Sequence, residues 1–155
     1  MKKIVTLVMI VLITSTLLAE IEFEKGFGIS AGMTCGFGAS YRYENKMYGF
    51  QTTYGGGAGD SNALHSIGLQ LIKPIHSVQK TRFNIVGGFG TFASYENSHL
   101  DDMSFAIGVG PEIEITFSGN MRFIIGSPFT VILYYDDDSR LASFMPTMSL
   151  IYFFK

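Results

Sequence analysis

The first residues able to do chemistry lie in the stretch MSFAIGVGPEIEITF, where Glu112 and Glu114 stand two positions apart. Carboxylates at that spacing share one face of a strand and could serve as a general acid and base. Such work needs a nucleophile and a pocket, and the sequence places neither beside them. His65 and Ser66 are adjacent, so in a strand they face opposite ways, which is poor geometry for a dyad. Ser98 and His99, with Glu96 and Asp101 nearby, sit in a loop and are only slightly better arranged. Asp101-Asp102 and Asp136-Asp137-Asp138 offer carboxylate oxygens to Ca²⁺ or Mg²⁺, but a solvated acidic loop tip has the same composition. The glycine clusters GFG, GGG and GGFG do not lie between a strand and a helix, so they are not phosphate loops. The expectation is a protein that is not an enzyme, with no cofactor and no catalytic metal.

The elements that must position the two glutamates are strands. From Met103 to Phe117 the odd positions are apolar and the even positions small or polar, the period of a two-faced strand. The same alternation recurs from Phe27, Phe37, Tyr48, Ser66, Arg82, Met121 and Ser143 onward, giving eight segments. Each is near the roughly 9–11 residues that a tilted membrane strand needs. Three connections are tight: Thr34-Cys35-Gly36, Asn45-Lys46 (pairing Tyr43 with Tyr48), and Ser118-Gly119-Asn120 (pairing Phe117 with Met121). Three others, after Tyr54, Tyr95 and Tyr135, are longer and acidic. Short turns at one end and longer loops at the other suit an outer-membrane barrel. Tyrosines near strand ends suit its aromatic girdle. Pro111, Pro128 and Pro146 fall inside strands, where a missing N–H breaks the ladder. A bulge is expected at Pro128.

Composition agrees. Of 155 residues, 15% are charged and 14% aromatic, with 18 Gly and no Trp. Soluble domains average about 25% charged residues, yet no apolar run beyond the N-terminus is long enough for a membrane helix. Strands that show lipid every second residue reconcile the two facts. The N-terminus, Lys2-Lys3 followed by the apolar run Ile4–Leu18 and Ala19, reads as a secretory signal peptide over residues 1–19, leaving a barrel over 20–155. The formal charge is −2, and without Lys2 and Lys3 it becomes −4. No basic patch remains for nucleic acid. The single Cys35 cannot form an internal disulfide.

With Phe117 opposite Met121, Thr116 opposes Arg122 and Glu114 is diagonal to it. Symmetry of the preceding hairpin puts Glu114 near Arg82 and Glu112 near Asn84. A cluster of Arg82, Glu112, Glu114 and Arg122 is therefore expected inside the lumen, with Arg42 joining from the far wall. An eight-stranded barrel is just wide enough for side chains to fill, so the cluster is expected to be structural, with Phe92, Ile132 and Phe153 helping to plug the interior. A gate in a narrow ion-conducting channel is the lesser alternative.

The signal peptide, the eight alternating segments and the closing strand SLIYFF together resemble the small eight-stranded outer-membrane β-barrels of the OmpA-transmembrane-domain and OmpX type. The likeness is architectural and covers Glu20–Lys155. The closing SLIYFF is similar to the aromatic signal such proteins present to the barrel-assembly machinery, although here Lys155 follows the last aromatic. The resemblance implies an all-β, eight-stranded antiparallel up-and-down transmembrane barrel in the outer membrane of a Gram-negative-type bacterium. It implies a monomer surrounded by outer-membrane lipid and lipopolysaccharide, with a structural or surface-contact role. The rival is a soluble periplasmic barrel of lipocalin type, with the apolar face turned inward around an apolar ligand.

Overall fold

A computed structural model describes residues 23–59, 62–96, 99–135 and 140–154. The expected signal peptide, Asp60, Ser98 and Asp136-Asp137-Asp138 lie outside these residues. Ten β-segments follow one another: β1 (Glu24–Ala31), β2 (Gly38–Glu44), β3 (Gly49–Ala58), β4 (Asn62–Val78), β5 (Thr81–Glu96), β6 (His99–Ser118), β7 (Met121–Gly126), β8 (Phe129–Tyr134), β9 (Arg140–Phe144) and β10 (Thr147–Phe154). Segments β7 and β8 are two halves of one strand, and so are β9 and β10. The result is a closed antiparallel barrel of eight strands, with β1 against β10 completing the ring. Pairing followed from Ile29 round the ring in both directions reaches β5 at Thr91 one way and Thr81 the other, a stagger of ten residues. With a rise of about 3.3 Å per residue and a strand spacing of about 4.8 Å, that stagger tilts the strands by roughly 40°.

The alternation decides what faces where. Phe27, Ile29, Ile67, Leu71, Ile107 and Met148 are exposed on the outer wall, whereas Ser40, Gln51, Thr53, Gln70 and Thr130 are buried inside. This is the reverse of the rival lipocalin-like arrangement, which needs the apolar face inward. Ile124, Ile151 and Phe153 form a small apolar cluster within the lumen.

Several local expectations are corrected. The β2–β3 turn is four residues, Asn45–Tyr48, and pairs Tyr43 with Phe50 rather than Tyr48. The Asn45 side chain explains the longer turn: its Oδ1 accepts from Met47 N at 2.6 Å and Tyr48 N at 2.9 Å, a local bond that Asn favours in turns. The β6–β7 turn is two residues, with Ser118 opposite Met121 and an irregularity beyond it. Its Gly119 has a left-handed φ of 48°. The extra residue restores Thr116 opposite Arg122, so the register deeper in the wall is the one expected. Two of the three segments expected as longer outer loops, those after Tyr54 and Tyr95, are mostly strand: β3 runs to Ala58, β4 starts at Asn62, β5 runs to Glu96, and β6 extends over 20 residues.

The prolines behave differently from one another. Pro111 stays paired with Ile85. The strand carrying Pro128 is interrupted at Ser127-Pro128 without a change of register, so it is a break and not a bulge. Pro146 makes a second break between β9 and β10. These sites lie side by side: Ser127 N donates to the Pro111 carbonyl at 3.1 Å, and Met145 N donates to the Pro128 carbonyl at 3.0 Å. The one register shift at a proline, between Pro74 and His76 in β4, falls at a position the pattern did not flag.

Candidate functional site: a charge cluster beneath a crossbar in the lumen

Even-numbered positions of β1, β2, β5, β6 and β7 point inward at the end of the barrel away from the long hairpin loops. They bring Arg42, Arg82, Glu112, Glu114 and Arg122 together. Arg42, fully buried, reaches across the lumen from β2 to β6: its Nη2 donates to Glu112 Oε1 at 2.8 Å and to Glu114 Oε2 at 3.0 Å. Its Nε donates to Glu44 Oε2 at 2.8 Å and its Nη1 to Gln51 Oε1 at 3.2 Å. Arg82 Nη2 donates to both oxygens of Glu114, at 2.9 and 2.8 Å, and also pairs with Glu44. Arg122 Nη1 donates to Glu114 Oε1 at 2.8 Å and Glu44 Oε1 at 2.6 Å. Its Nη2 pairs with Glu24, and its guanidinium lies 3.8 Å from the centre of the Phe153 ring. Asn84 Nδ2 completes the shell of Glu112 at 2.9 Å.

Sequence reasoning missed Glu44 and Glu24. Glu44 is as central as Glu114, since each contacts all three arginines. Its even parity with Arg42 in the same strand was the available signal. Three guanidiniums face three deeply buried carboxylates, Glu44, Glu112 and Glu114, so charge is balanced among the buried groups. Each buried ion carries a desolvation cost of several kcal/mol, which is offset only when partners and hydrogen bonds are nearly complete. Glu44 and Glu114, each held by three guanidiniums, are poorly placed to take protons from a substrate or to ligate a cation.

Above this cluster the chain does something the sequence did not suggest. Gly32–Phe37, expected as a tight hairpin, leaves the wall and crosses the lumen as a crossbar. Thr34 and Cys35 are buried, and Phe37 N donates to Ser66 Oγ on β4 at 3.1 Å. Gly36 takes a left-handed φ of 74° to make the bend. The far wall accepts the crossbar because it lacks side chains there. A Cβ on Gly68 would fall on the Cys35 carbonyl, and one on Gly90 would fall on the Met33 carbonyl. A Cβ on Gly88 would meet the Thr34 carbonyl at 2.7 Å, and one on Gly108 would crowd the Thr34 side-chain methyl at 2.9 Å as well as Thr130 of its neighbouring strand. Inward glycines were expected to relieve crowding in a narrow barrel; here they make a seat for a specific segment.

The other candidates stay apart. His65 is exposed on the outer face, its Nδ1 3.4 Å from Tyr54 Oη and its ring edge-on to Tyr95, while Ser66 points inward. Phe92 stacks on Phe37 of the crossbar with ring centres 6.1 Å apart. Ile132 and Phe153 are buried in the lumen.

A closed eight-stranded barrel, apolar outside and charged within, is a class with solved members. The fold is similar to the N-terminal β-barrel domain of Pseudomonas aeruginosa OprF, at a TM-score of 0.54 and 12% identity, over 85% of this chain and 96% of that one. Neisserial surface protein A aligns at a TM-score of 0.44 and 12% identity, over 84% and 91% of the two chains. No family model and no curated protein matches the sequence.

Proposed function

We propose that this chain is a small integral outer-membrane β-barrel protein with a structural or surface-contact role, exported by its signal peptide and closed to solutes along its lumen. The observation that carries this is sidedness: a belt of exposed Phe, Ile, Leu, Val and Met wraps a barrel that holds Arg42, Glu44, Glu112 and Glu114 buried inside. In water such a belt would be an aggregation liability; in lipid it is the stable surface, and closure leaves few strand edges without partners. The role has no catalytic residue. Its partners are outer-membrane lipid and lipopolysaccharide, the barrel-assembly machinery during insertion, and no nucleic acid, with the protein working as a monomer. The saturated charge cluster and the crossbar support a lumen that side chains fill.

Fractionation together with heat-modifiability on a gel tests the membrane assignment. The protein should require detergent for extraction and should migrate differently before and after boiling. Recovery in the soluble periplasmic fraction would overturn it. Planar-bilayer recording tests the closed lumen: ion-sized unitary steps that change with Glu114→Gln would favour a narrow channel instead.

A further inference from the structure

The wall of the barrel is incomplete on the long-hairpin side. β1 ends at Ala31 and β2 begins at Gly38, because the chain between them has turned inward as the crossbar. Among the described residues, β9 consequently has β8 on one side and no strand on the other, and β3 beyond Tyr54 pairs only with β4. The two free edges, β9 and Gly55–Ala58 of β3, are three strand spacings apart, roughly 14 Å. Between them, above the sill made by the β1–β2 hairpin, the wall has an opening.

Behind that opening is a chamber floored by the crossbar, with Phe37 and Phe92 stacked on its base. Its walls carry two inward-pointing leucines that are nonetheless open. Leu141, in register with buried Ile132, is 46% exposed, and Leu64, two residues from buried Ser66, is 43% exposed. A cavity of about 350 Å³ at the rim of β3, β4 and β5 lies between Gly57, Asn62, Leu64, Ser94, Tyr95 and Glu96, and its lining is more polar than apolar. The two open leucines supply the apolar surface that an apolar ligand needs in such a concavity.

We infer that this opening is a lateral portal through which an acyl chain of an outer-leaflet lipid enters the chamber above the crossbar. The assignment rests on the membrane reading proposed above, and three features select a lipid. The chamber is continuous with the lipid-facing belt, since exposed Phe144, at the inner end of β9, borders the opening. The free backbone edge of β9 needs hydrogen-bond partners at membrane depth, where unpaired backbone is tolerated only beside a polar or water-filled space. The ester and headgroup region of a lipid supplies such partners, and Arg140 at the outer end of β9 offers a guanidinium to its phosphate. The crossbar and the charge cluster beneath it stop the chain from passing further, so the site binds and does not conduct.

The protein has no Trp, so single-Trp reporters give a direct test in vesicles of phosphatidylcholine brominated along its acyl chains. Phe92→Trp reports the chamber, Leu64→Trp gives a second reporter there should the first fail to fold, and Phe89→Trp, on the outer wall, reports ordinary lipid contact. The chamber reporter should lose a share of its emission comparable to the outer-wall reporter. Adding Leu141→Asp, which charges the chamber, should abolish that loss at Phe92→Trp and leave Phe89→Trp unchanged. Quenching of the chamber reporter by aqueous iodide but not by brominated lipid would mean a water-filled vestibule and would overturn the portal. Quenching by neither, or brominated-lipid quenching that Leu141→Asp does not touch, would overturn it too. If Phe89→Trp also escapes the brominated lipid, the membrane assignment fails rather than the portal.

Discussion

The two ends of this barrel obey different rules. At the end holding the charge cluster every strand has two neighbours, the β1–β10 seam is fully paired, and arginines from three strands tie the wall across its own interior. Just above that cluster, beside Glu112, three adjacent strands carry a proline at the same level and two of them break there; toward the other end the β1–β2 connection folds inward and leaves two edges free. The contrast shows that closure and lumen filling are separate problems. Long polar side chains hold one end together, whereas backbone seated on glycine fills the other.

Substitutions can break or sharpen that contrast. The largest effect is expected from Arg42→Met, which strips Glu44, Glu112 and Glu114 of a shared partner. Leaving a buried charge uncompensated costs about 3–5 kcal/mol, visible as a lower urea midpoint for unfolding from lipid vesicles. An unchanged midpoint would mean that charge does not fasten that end. Gly68→Val comes next. Its side chain must occupy the Cys35 carbonyl position, and overpacking of this kind costs about 1–3 kcal/mol. The more telling readout is Cys35 itself. In the unaltered protein the thiol is buried. Reaction needs access to the sulfur, so maleimide labelling should be slow, and in Gly68→Val it should become fast as the crossbar is displaced. Asn45→Ala removes two short turn bonds and should lower stability by about 0.5–1.5 kcal/mol, without altering Cys35 labelling. Smallest of all, Gly87→Ala adds a methyl to the outer wall, where nothing lies within 4 Å. It should fall within about 0.5 kcal/mol of the parent in the same unfolding assay, in contrast to its inward neighbour Gly88.

The barrel was legible because period-two alternation survives errors of register. Tyr43 was matched with Tyr48 and pairs with Phe50, a slip of two that leaves both residues on the outer face. At the β6–β7 turn a wrong loop length and an unforeseen irregularity cancelled, so Thr116 still meets Arg122, and Glu114 meets Arg82 as expected. Glu44 was overlooked because attention went to the tyrosines beside it and to the turn that follows. The crossbar was not legible at all. Thr34, Cys35 and Gly36 have the composition of an ordinary turn, and what draws them inward is the missing side chains of Gly68, Gly88, Gly90 and Gly108, up to 74 residues away in the chain. Three prolines could be counted in the sequence, but their lateral alignment depends on the register of three strands at once.

The crossbar also bears on the order in which the molecule is assembled. Every contact between sequence-adjacent strands is a hairpin, but the β1–β10 seam joins residues as distant as Ile29 and Leu150, so its loop-closure entropy makes it a late event. The segment that must reach that seam is continuous with the one that lies across the lumen. Zipping the ring shut and stoppering it therefore happen together, and a nascent barrel whose first hairpin has not docked is both unsealed at its seam and hollow.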